Sequence, residues 1–410
     1  MRKLAPVVFV LVACGSVPEP ETSRADVQRL SPTVNPTQLE TAIRGNTDFA
    51  FDFYRRIAVQ PGNVVYSPHS ITSAFAMLWA GARGTTEQAL ANGLHFPFAQ
   101  ADQHPLLNVL DAELTARNVT VGDADKLTLR VVNDVWAQKG FEILPSYLDT
   151  LAQSYGAGVR RLDFARDPEA ARNTVNDWVA QKTNDRIQDL LPKGSVDPAT
   201  RLALTNAVYF KADWKDQFEV SATKSAPFHL AGGTDTNVDF MRRTAPTGFD
   251  QTNDYLAVEL PYVGDQLALL VLMPNDLARF EALLSGAKLD TITRGLTRQD
   301  VDLSLPKLKH EAKYDLQPVL TDMGMGELFV DADLSGIDGE RDLFVQAAVH
   351  QAFIVIDEEG TEAAAATGIT IGVTSVQVVE RAIIDRPFLY VLRDTKTNAV
   401  LFVGRVSDPR

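Results

Sequence analysis

The stretch EEGTEAAAATGITIGVTS, residues 358 to 375, differs from the sequence on either side of it. It follows Ala352-Phe-Ile-Val-Ile356, whose β-branched and aromatic side chains predict a buried strand. Acids, one glycine, threonine and four alanines come next, and a strand-like pattern then returns at Ile369, Ile371 and Val373. A strand that fills a core needs larger side chains than alanine, so this stretch must have another role.

Read with the two-residue period of a strand, residues 361 to 374 have two unlike faces. One face is uncharged and consists of small or β-branched residues, namely Thr361, Ala363, Ala365, Thr367, Ile369, Ile371 and Val373. The other face holds the only charge, at Glu362. No proline interrupts the stretch, so it can form a full ladder of hydrogen bonds. The pattern predicts a strand that enters a sheet already covered on one side; a surface helix built on the alanine run is the alternative.

The composition is that of a large acidic globular protein. The chain has 410 residues, 45% of them apolar, and a formal net charge of -14. This charge, and the lack of any dense lysine or arginine cluster, disfavours nucleic acid and polyanionic sugar cofactors as partners. We find no linker, repeat or composition break after about residue 40. Residues 41–410 are therefore predicted to form one domain that needs no cofactor.

The N-terminus has the features of an export signal. Arg2 and Lys3 precede the apolar run Leu4 to Val12, which is too short to span a bilayer. The run ends in Leu11-Val-Ala-Cys14, which resembles a bacterial lipobox and contains the only cysteine of the chain. We predict a lipoprotein signal peptide at 1–13, acylation of Cys14, a flexible tether at 14–40 and anchoring to a bacterial membrane, in the periplasm or at the cell surface. An ordinary secretion signal is the alternative.

Hydrophobic periodicity predicts helices in the first half of the chain and strands in the second. Helices are expected at Thr47–Ala58, at Ser70–Leu78 and from Asp167 through Trp178. Strands are expected at Leu202–Phe210, Leu256–Pro261, Ala268–Met273, Val301–Leu305, Phe353–Ile356, Phe388–Leu392 and Val400–Val403. Helices followed by strands indicate an α+β fold rather than repeated βαβ units.

Motifs of enzyme chemistry are missing from the sequence. None of the six histidines lies in a HExxH pattern, and no GxSxG, P-loop or GxGxxG motif follows a predicted strand. Asp331-x-Asp333-x-Ser335-Gly336 resembles the start of a calcium loop, but its twelfth position is Asp342 instead of glutamate. A polar loop is the better interpretation. We expect neither an enzyme nor a metal site.

Several segments together resemble the serpin family of serine protease inhibitors over nearly all of residues 45 to 409. The stretch Glu358 to Thr367 resembles the hinge of the serpin reactive-centre loop. The other matching segments are Asn63-Val-Val-Tyr-Ser-Pro-His-Ser70, Asn206-Ala-Val-Tyr-Phe-Lys211, Leu305-Pro-Lys-Leu308, Val349-His350 and Asp385-Arg-Pro-Phe388. The resemblance implies a large mixed sheet, smaller sheets, and an exposed reactive-centre loop near the C-terminus. It also implies inhibition by loop cleavage, followed by insertion of the loop into the main sheet.

The resemblance also implies roles for individual residues. Ser67, Ser70, Asn206 and His350 match the shutter beneath the centre of the sheet. Trp214, Lys307 and Glu358 match the breach at its top. The hinge comprises Glu358, Gly360, Thr361, Glu362, Ala363, Ala364, Ala365, Ala366 and Thr367.

Counting along the loop, as in inhibitory serpins, places the reactive bond between Thr374 and Ser375, with shifts of one or two residues left open. The residues there are small and uncharged, which disfavours trypsin-like proteases and favours elastase-like or subtilisin-like ones. A non-inhibitory serpin, acting as a binding or carrier protein, is the alternative. The uncharged inner face of the hinge favours the inhibitor, which we expect to be a monomer.

Overall fold

The computed structural model describes residues 19–121, 124–361 and 379–410. The helices of this part of the chain are α1 Pro36–Ile57, α2 Pro68–Trp79, α3 Gly84–Gly93, α4 Gln100–Thr115, α5 Pro145–Tyr155, α6 Pro168–Lys182, α7 Leu277–Ala282, α8 Gly286–Gly295, α9 Leu316–Leu320 and α10 Ser335–Asp338. Non-α turns lie at Val220–Ala222, Thr321–Met325 and Gly326–Phe329. No helix among the described residues is long and apolar enough to cross a membrane.

The strands are short in some places and long in others. They are β1 Thr22–Ser23, β2 Val64–Tyr66, β3 Val119–Val121, β4 Ala124–Gln138, β5 Val159–Leu162, β6 Leu202–Asp213, β7 Lys224–His229, β8 Asp235–Gln251, β9 Tyr255–Pro261, β10 Leu267–Pro274, β11 Thr297–Pro306, β12 Leu308–Asp315, β13 Ala347–Ile356, β14 Gly360–Thr361, β15 Glu380–Ile383, β16 Phe388–Asp394 and β17 Val400–Val406.

Side-chain caps fix the beginnings of the predicted helices. Asp167 accepts a hydrogen bond from the Ala170 amide and precedes a proline in the first turn, as the sequence predicts for α6. Ser67 caps α2 in the same way, through the Ser70 amide. The helix predicted from Thr47 begins earlier, at Pro36, because Asn35 and Pro36 supply a cap and a favourable first residue.

The main sheet has the strand order β1-β5-β4-β6-β13-β12, with β3 added to β4 and β14 added to β6. Strand β6 is antiparallel to β4 and parallel to β13. Helix α6 packs on one face of these strands, through a cluster that includes Trp136, Trp178 and Ala207. Helix α2 and the second sheet cover the other face. The central strands are therefore buried on both sides.

The second sheet has the order β15-β11-β8-β9-β10-β16-β17-β2, with β7 added to β8. The seven strands predicted between Leu202 and Val403 are all present, each extended at one end or at both. The α+β class is confirmed. The first half is less purely helical than predicted, because it also contains the long strand β4.

Residues 19–35, called the N-terminal strap below, lie on the body of the protein. Strand β1 pairs with β5, and the Leu30 amide donates to the carbonyl of Gln153 in α5 at 2.9 Å. The predicted flexible tether is therefore wrong for residues 19–40, since residues 36–40 belong to α1. The proline-rich composition of this segment suggests flexibility, but it gives no sign of main-chain partners that come from elsewhere in the fold. The predicted signal peptide and Cys14 lie outside the described residues.

Candidate functional site

The central strands β6 and β13 pair over only part of their length. Their parallel ladder runs from Ala203 opposite Ala347 to Val208 opposite Ala352. Beyond it both strands continue, and β4 and β12 still pair with their outer sides. Among the described residues, residues 209–211 and 353–356 form no ladder with each other. We call this opening the gap; it is a place where a further strand can pair.

The chain that leaves β13 turns back and enters the mouth of the gap. Gly360 and Thr361 form β14, which is antiparallel to β6 opposite Asp213 and Ala212. A Cβ atom at Gly360 would lie 2.0 Å from the Ala212 carbonyl oxygen, so this close approach requires glycine. The amide of Trp214 also donates to the Glu359 carbonyl at 2.8 Å. The first residues of the predicted hinge are thus already paired with the main sheet.

Aromatic side chains hold Thr361 inside the protein. The Thr361 hydroxyl lies 2.8 Å from the hydroxyl of Tyr262, and Thr361 is fully buried. The Tyr262 ring stacks on Trp214 at 4.5 Å, and the Trp214 indole donates to the Asp357 carbonyl at 2.9 Å. Burial raises the pKa of Tyr262, so its phenol stays protonated. The face predicted to point inward does so at its first residue.

An ion pair anchors the turn between β13 and β14. Lys307 Nζ lies 2.7 Å from Glu358 Oε2, and the Thr223 hydroxyl donates to Glu358 Oε1 at 2.7 Å. Burial alone would raise the pKa of Glu358, but the hydrogen bonds from Lys307 and Thr223 outweigh it, so the pKa is lowered. The pair is a half-buried anchor, and partly exposed pairs contribute little to stability.

A second polar cluster lies under the β6–β13 ladder. The Ser67 amide donates to His350 Nε2 at 3.0 Å, and His350 Nδ1 is bonded to Asn206 Oδ1. Asn206 Nδ2 donates to Ser70 Oγ at 2.8 Å and to Asn133 Oδ1 at 2.6 Å. The cluster thus ties α2 to three neighbouring strands, at the level where β6 and β13 must separate if another strand enters between them.

The charge state of His350 follows from these contacts. Burial lowers its pKa to about 3, so the imidazole is neutral at ordinary pH. A neutral ring that accepts from the Ser67 amide at Nε2 carries its proton on Nδ1 and donates to Asn206. A protonated ring has no acceptor for Ser67, so acid disrupts the cluster.

Replacing His350 with alanine is expected to lower the free energy of unfolding of the intact chain by about 1–3 kcal/mol near neutral pH. Two buried groups lose their partner, the Ser67 amide and the Asn206 carbonyl. Because the pKa of His350 is lower in the folded chain, the unfolded chain binds the proton first, and the wild type loses stability as the pH falls from about 6.5 toward about 3. The difference between wild type and variant should therefore shrink in acid.

Urea unfolding at about pH 7.5 and about pH 5 measures both effects. His229→Ala is a suitable control, because His229 is exposed and lies outside the cluster. Equal unfolding midpoints for wild type and His350→Ala at neutral pH would mean that the cluster does not stabilise the sheet.

A family model described as "Serpin (serine protease inhibitor)" matches residues 44–409. The chain belongs to the serpin family. An uncharacterized serpin-like protein of Thermococcus kodakarensis is 35% identical over 378 residues, which are 91% of this chain and 87% of that protein. The leukocyte elastase inhibitor of Bos taurus is 36% identical over 385 residues, 90% of this chain and 100% of that protein. Among solved structures, uncleaved ovalbumin gives a TM-score of 0.81 at 28% identity, covering 90% of this chain and 100% of that one.

The serpin fold brings together most of the residues singled out from the sequence. The four predicted shutter residues lie in one hydrogen-bonded cluster, and the breach residues surround the turn into β14. Their roles in insertion remain predictions. The hinge residues Glu362 to Thr367 and the predicted reactive bond Thr374–Ser375 lie outside the described residues.

Three residues of this serpin site are not predicted from the sequence. Asn133 joins the shutter from β4, Tyr262 bonds to Thr361, and Thr223 bonds to Glu358. Of the three, only Asn133 is noticeable in the sequence, because it is a polar residue within an otherwise strand-like run. Its importance depends on lying directly opposite Asn206, a register that the sequence does not specify.

The acidic segment near Asp331 is a hydrogen-bonded turn. Asp333 Oδ1 accepts from the hydroxyl of Ser335 at 2.6 Å and from its amide at 3.3 Å. Among residues 19–121, 124–361 and 379–410, no group of three or more histidine, cysteine or acidic side chains is arranged to hold a metal ion. The oxygen atoms of Asp333 are used within the fold, including an ion pair with Arg341.

Proposed function

We propose that this serpin is an irreversible suicide inhibitor of serine proteases, acting by cleavage of its reactive-centre loop and insertion of the loop into the main sheet. The supporting observation is β14, which begins an antiparallel strand on β6 at the mouth of the gap. Strand addition of this type is the known mode of serpin loop insertion. Such a pairing is what a loop that inserts between β6 and β13 would need at its start.

The register of β14 also supports the proposal. If the chain continues antiparallel from Thr361 opposite Ala212, each step forward along the loop is one step back along β6. Ile371 then falls opposite Leu202, where β6 begins. A strand released by cleavage after Thr374 is thus just long enough to span all of β6. At about 3.3 Å per residue, some fifteen residues carry the cleaved end about 50 Å.

The chemistry belongs to the protease, and the serpin controls the fate of the acyl-enzyme. The protease serine attacks the carbonyl carbon of Thr374, the peptide bond to Ser375 breaks, and its nitrogen leaves as the new amino terminus. The acyl-enzyme now links the protease to the loop. Insertion then moves the protease and distorts it before water can complete deacylation.

The proposed targets are elastase-like or subtilisin-like proteases. Val373, Thr374, Ser375 and Val376 are small or medium-sized and carry no charge, whereas a trypsin-like pocket selects arginine or lysine. Bovine leukocyte elastase inhibitor, a relative at 36% identity, bears the name of a protease of the preferred class. We propose that the inhibitor acts as a monomer and uses no cofactor.

A panel of serine proteases tests this function directly. The intact protein is incubated with an elastase, a subtilisin and a trypsin, and the products are separated by SDS gel electrophoresis. A covalent complex with elastase or subtilisin, and none with trypsin, is the expected result. Cleavage of the loop by all three without any SDS-stable complex would overturn the proposal and favour the binding or carrier role.

We also propose that the protein is exported and held on a bacterial membrane through a lipid on Cys14. The lipobox-like sequence before this cysteine supports this location. Expression in a bacterial host with labelled palmitate should label the wild type and leave Cys14→Ser unlabelled. Release of the wild type into the medium without label would favour the ordinary secretion signal.

A further inference from the structure

We propose that the N-terminal strap holds the lower half of the main sheet closed, and so limits the rate at which β6 and β13 separate to admit the loop. This inference rests on the proposed function for its purpose, because sheet opening has a use only if the loop inserts. Three sets of contacts support this inference: a main-chain pairing, one charged cluster, and one set of contacts between the strap and a helix.

The main-chain contact is level with the ladder that must break. Thr22 of the strap lies opposite Arg160, and the same row continues through Trp136 and Ala203 to Ala347. This row is the first pair of the β6–β13 ladder. The strap therefore adds a strand to the sheet at the level where the two central strands are still paired.

A glycine makes this contact fit. A Cβ atom on Gly158 would lie 2.6 Å from the Ser23 carbonyl oxygen, which is closer than real Cβ atoms approach. The backbone of the strap therefore needs glycine at this position. A larger residue at 158 would displace the strap without any change in the sequence of the strap itself.

The charged cluster joins the strap to α6 and to the edge of the sheet. Glu19 lies 2.6 Å from Lys182 and 2.9 Å from Arg160, and it accepts from the indole of Trp178 at 3.3 Å. Arg160 also pairs with Asp134 of β4 at 2.9 Å, and its guanidinium lies 4.2 Å from the centre of the Trp178 ring. One carboxylate thus ties together β4, β5 and the helix that covers them.

The third contact ties this edge to the helices beneath it. Arg29 pairs with Asp111 at 2.7 Å and donates to Asn108 Oδ1 at 2.7 Å, while Asn108 donates back to the Leu30 carbonyl at 2.9 Å. Both partners belong to α4, which packs on α1 and α2. A cavity of about 480 Å³ lies between β4, α2 and α4, so direct packing here is incomplete. The strap supplies a connection where the packing is weak.

Because β4, β5 and β6 have to move away from β13 to make room for a strand, the strap bonds to α4 and β5 resist this movement. Amide hydrogen exchange reports the opening directly, since amides of the β6–β13 ladder exchange when the strands separate. The ladder is followed in peptides that cover residues 203–208 and 347–352 of the full-length chain.

We compare Gly158→Val, Glu19→Gln and Asp26→Asn with the wild type. Asp26 is an exposed strap residue, and its replacement removes one negative charge, as does Glu19→Gln, so it is the matched control. Ladder exchange should be about tenfold faster in Gly158→Val, equivalent to about 1.4 kcal/mol, and about threefold faster in Glu19→Gln. Asp26→Asn should exchange at the wild-type rate. In a chain that lacks residues 19–34, Gly158→Val should add nothing further.

Two results would overturn the inference. One is wild-type exchange in the ladder of both Gly158→Val and Glu19→Gln. The other is faster exchange limited to residues 159–162, which would make the strap only a cover for the sheet edge. The protease panel separates this inference from the proposed function. Faster ladder exchange without any protease complex would refute the inhibitor function and support the role of the strap. Complex formation with unchanged ladder exchange would support the inhibitor function and refute the role of the strap.

Discussion

Cleavage of the chain at or near Thr374 is expected to raise its thermal unfolding midpoint by about 10 °C or more. Most chain breaks loosen a fold. Here the cut releases a segment that can continue β14 down the gap, forming ladders with both β6 and β13. Ile369 and Ile371, with Val373, would become buried, at about 1.5–3 kcal/mol for each side chain. These gains exceed what a typical substitution removes.

The experiment nicks the loop with a non-target protease, confirms the site by mass spectrometry and compares melting curves of the nicked and intact chains. The same nick in Thr361→Arg is the control, because a chain that cannot insert should gain nothing from cleavage. A nicked wild type that melts at or below the intact protein would show that the loop does not insert. The binding or carrier role would then replace the inhibitor.

Thr361→Arg is expected to convert the inhibitor into a substrate. In the intact chain Thr361 is already buried against Tyr262, so arginine would place a guanidinium without a partner in the core, at a cost of several kcal/mol. The variant should still fold, because only the two residues of β14 lose their place. If the barrier to insertion rises by about 1.4 kcal/mol, insertion becomes about tenfold slower relative to deacylation. Most of the loop would then be cleaved without trapping the protease.

Titration of an elastase with each variant gives the number of serpin molecules consumed per protease molecule inhibited. Thr361→Ser keeps the hydroxyl and should behave as the wild type. Tyr262→Phe removes the partner of Thr361 without burying a charge, so it should fold and still trap protease. Unchanged consumption by Thr361→Arg would mean that this residue does not have to enter the sheet.

The sequence predicts the hinge better than it predicts the surroundings of the hinge. The alternation along residues 361–373 identifies the inner face, and the structure has Thr361 on that face. The alternation does not show that Gly360 and Thr361 pair with β6, because this pairing depends on Gly360 meeting the carbonyl of Ala212. The two residues are far apart in the chain, and only the folded sheet brings them together.

The strap shows the opposite case, a segment whose local composition misleads. Proline and polar residues favour a flexible chain when they have no partner. Here the partners are the main chain at Gly158, which the strap approaches closely, and the charged side chains of Arg160 and Lys182. None of these can be identified without knowing which strand forms the edge of the sheet. Asn133 is likewise not predictable, because its place opposite Asn206 depends on a register that the sequence does not specify.

If the chain is anchored through Cys14, as proposed above, the strap places the anchored end at one pole of the molecule. It joins the sheet beside Trp136 and Ala203, whereas the hinge enters beside Ala212, about 30 Å away at the opposite pole. Cys14 and Glu19 are five positions apart in the chain, so a lipid on Cys14 would be attached within about 18 Å of Glu19. Gly360 and Thr361 would then lie at the pole away from the lipid headgroups. Full insertion would carry the captured protease about 50 Å back toward this pole, so a short lipid anchor and complete translocation would compete for the same space.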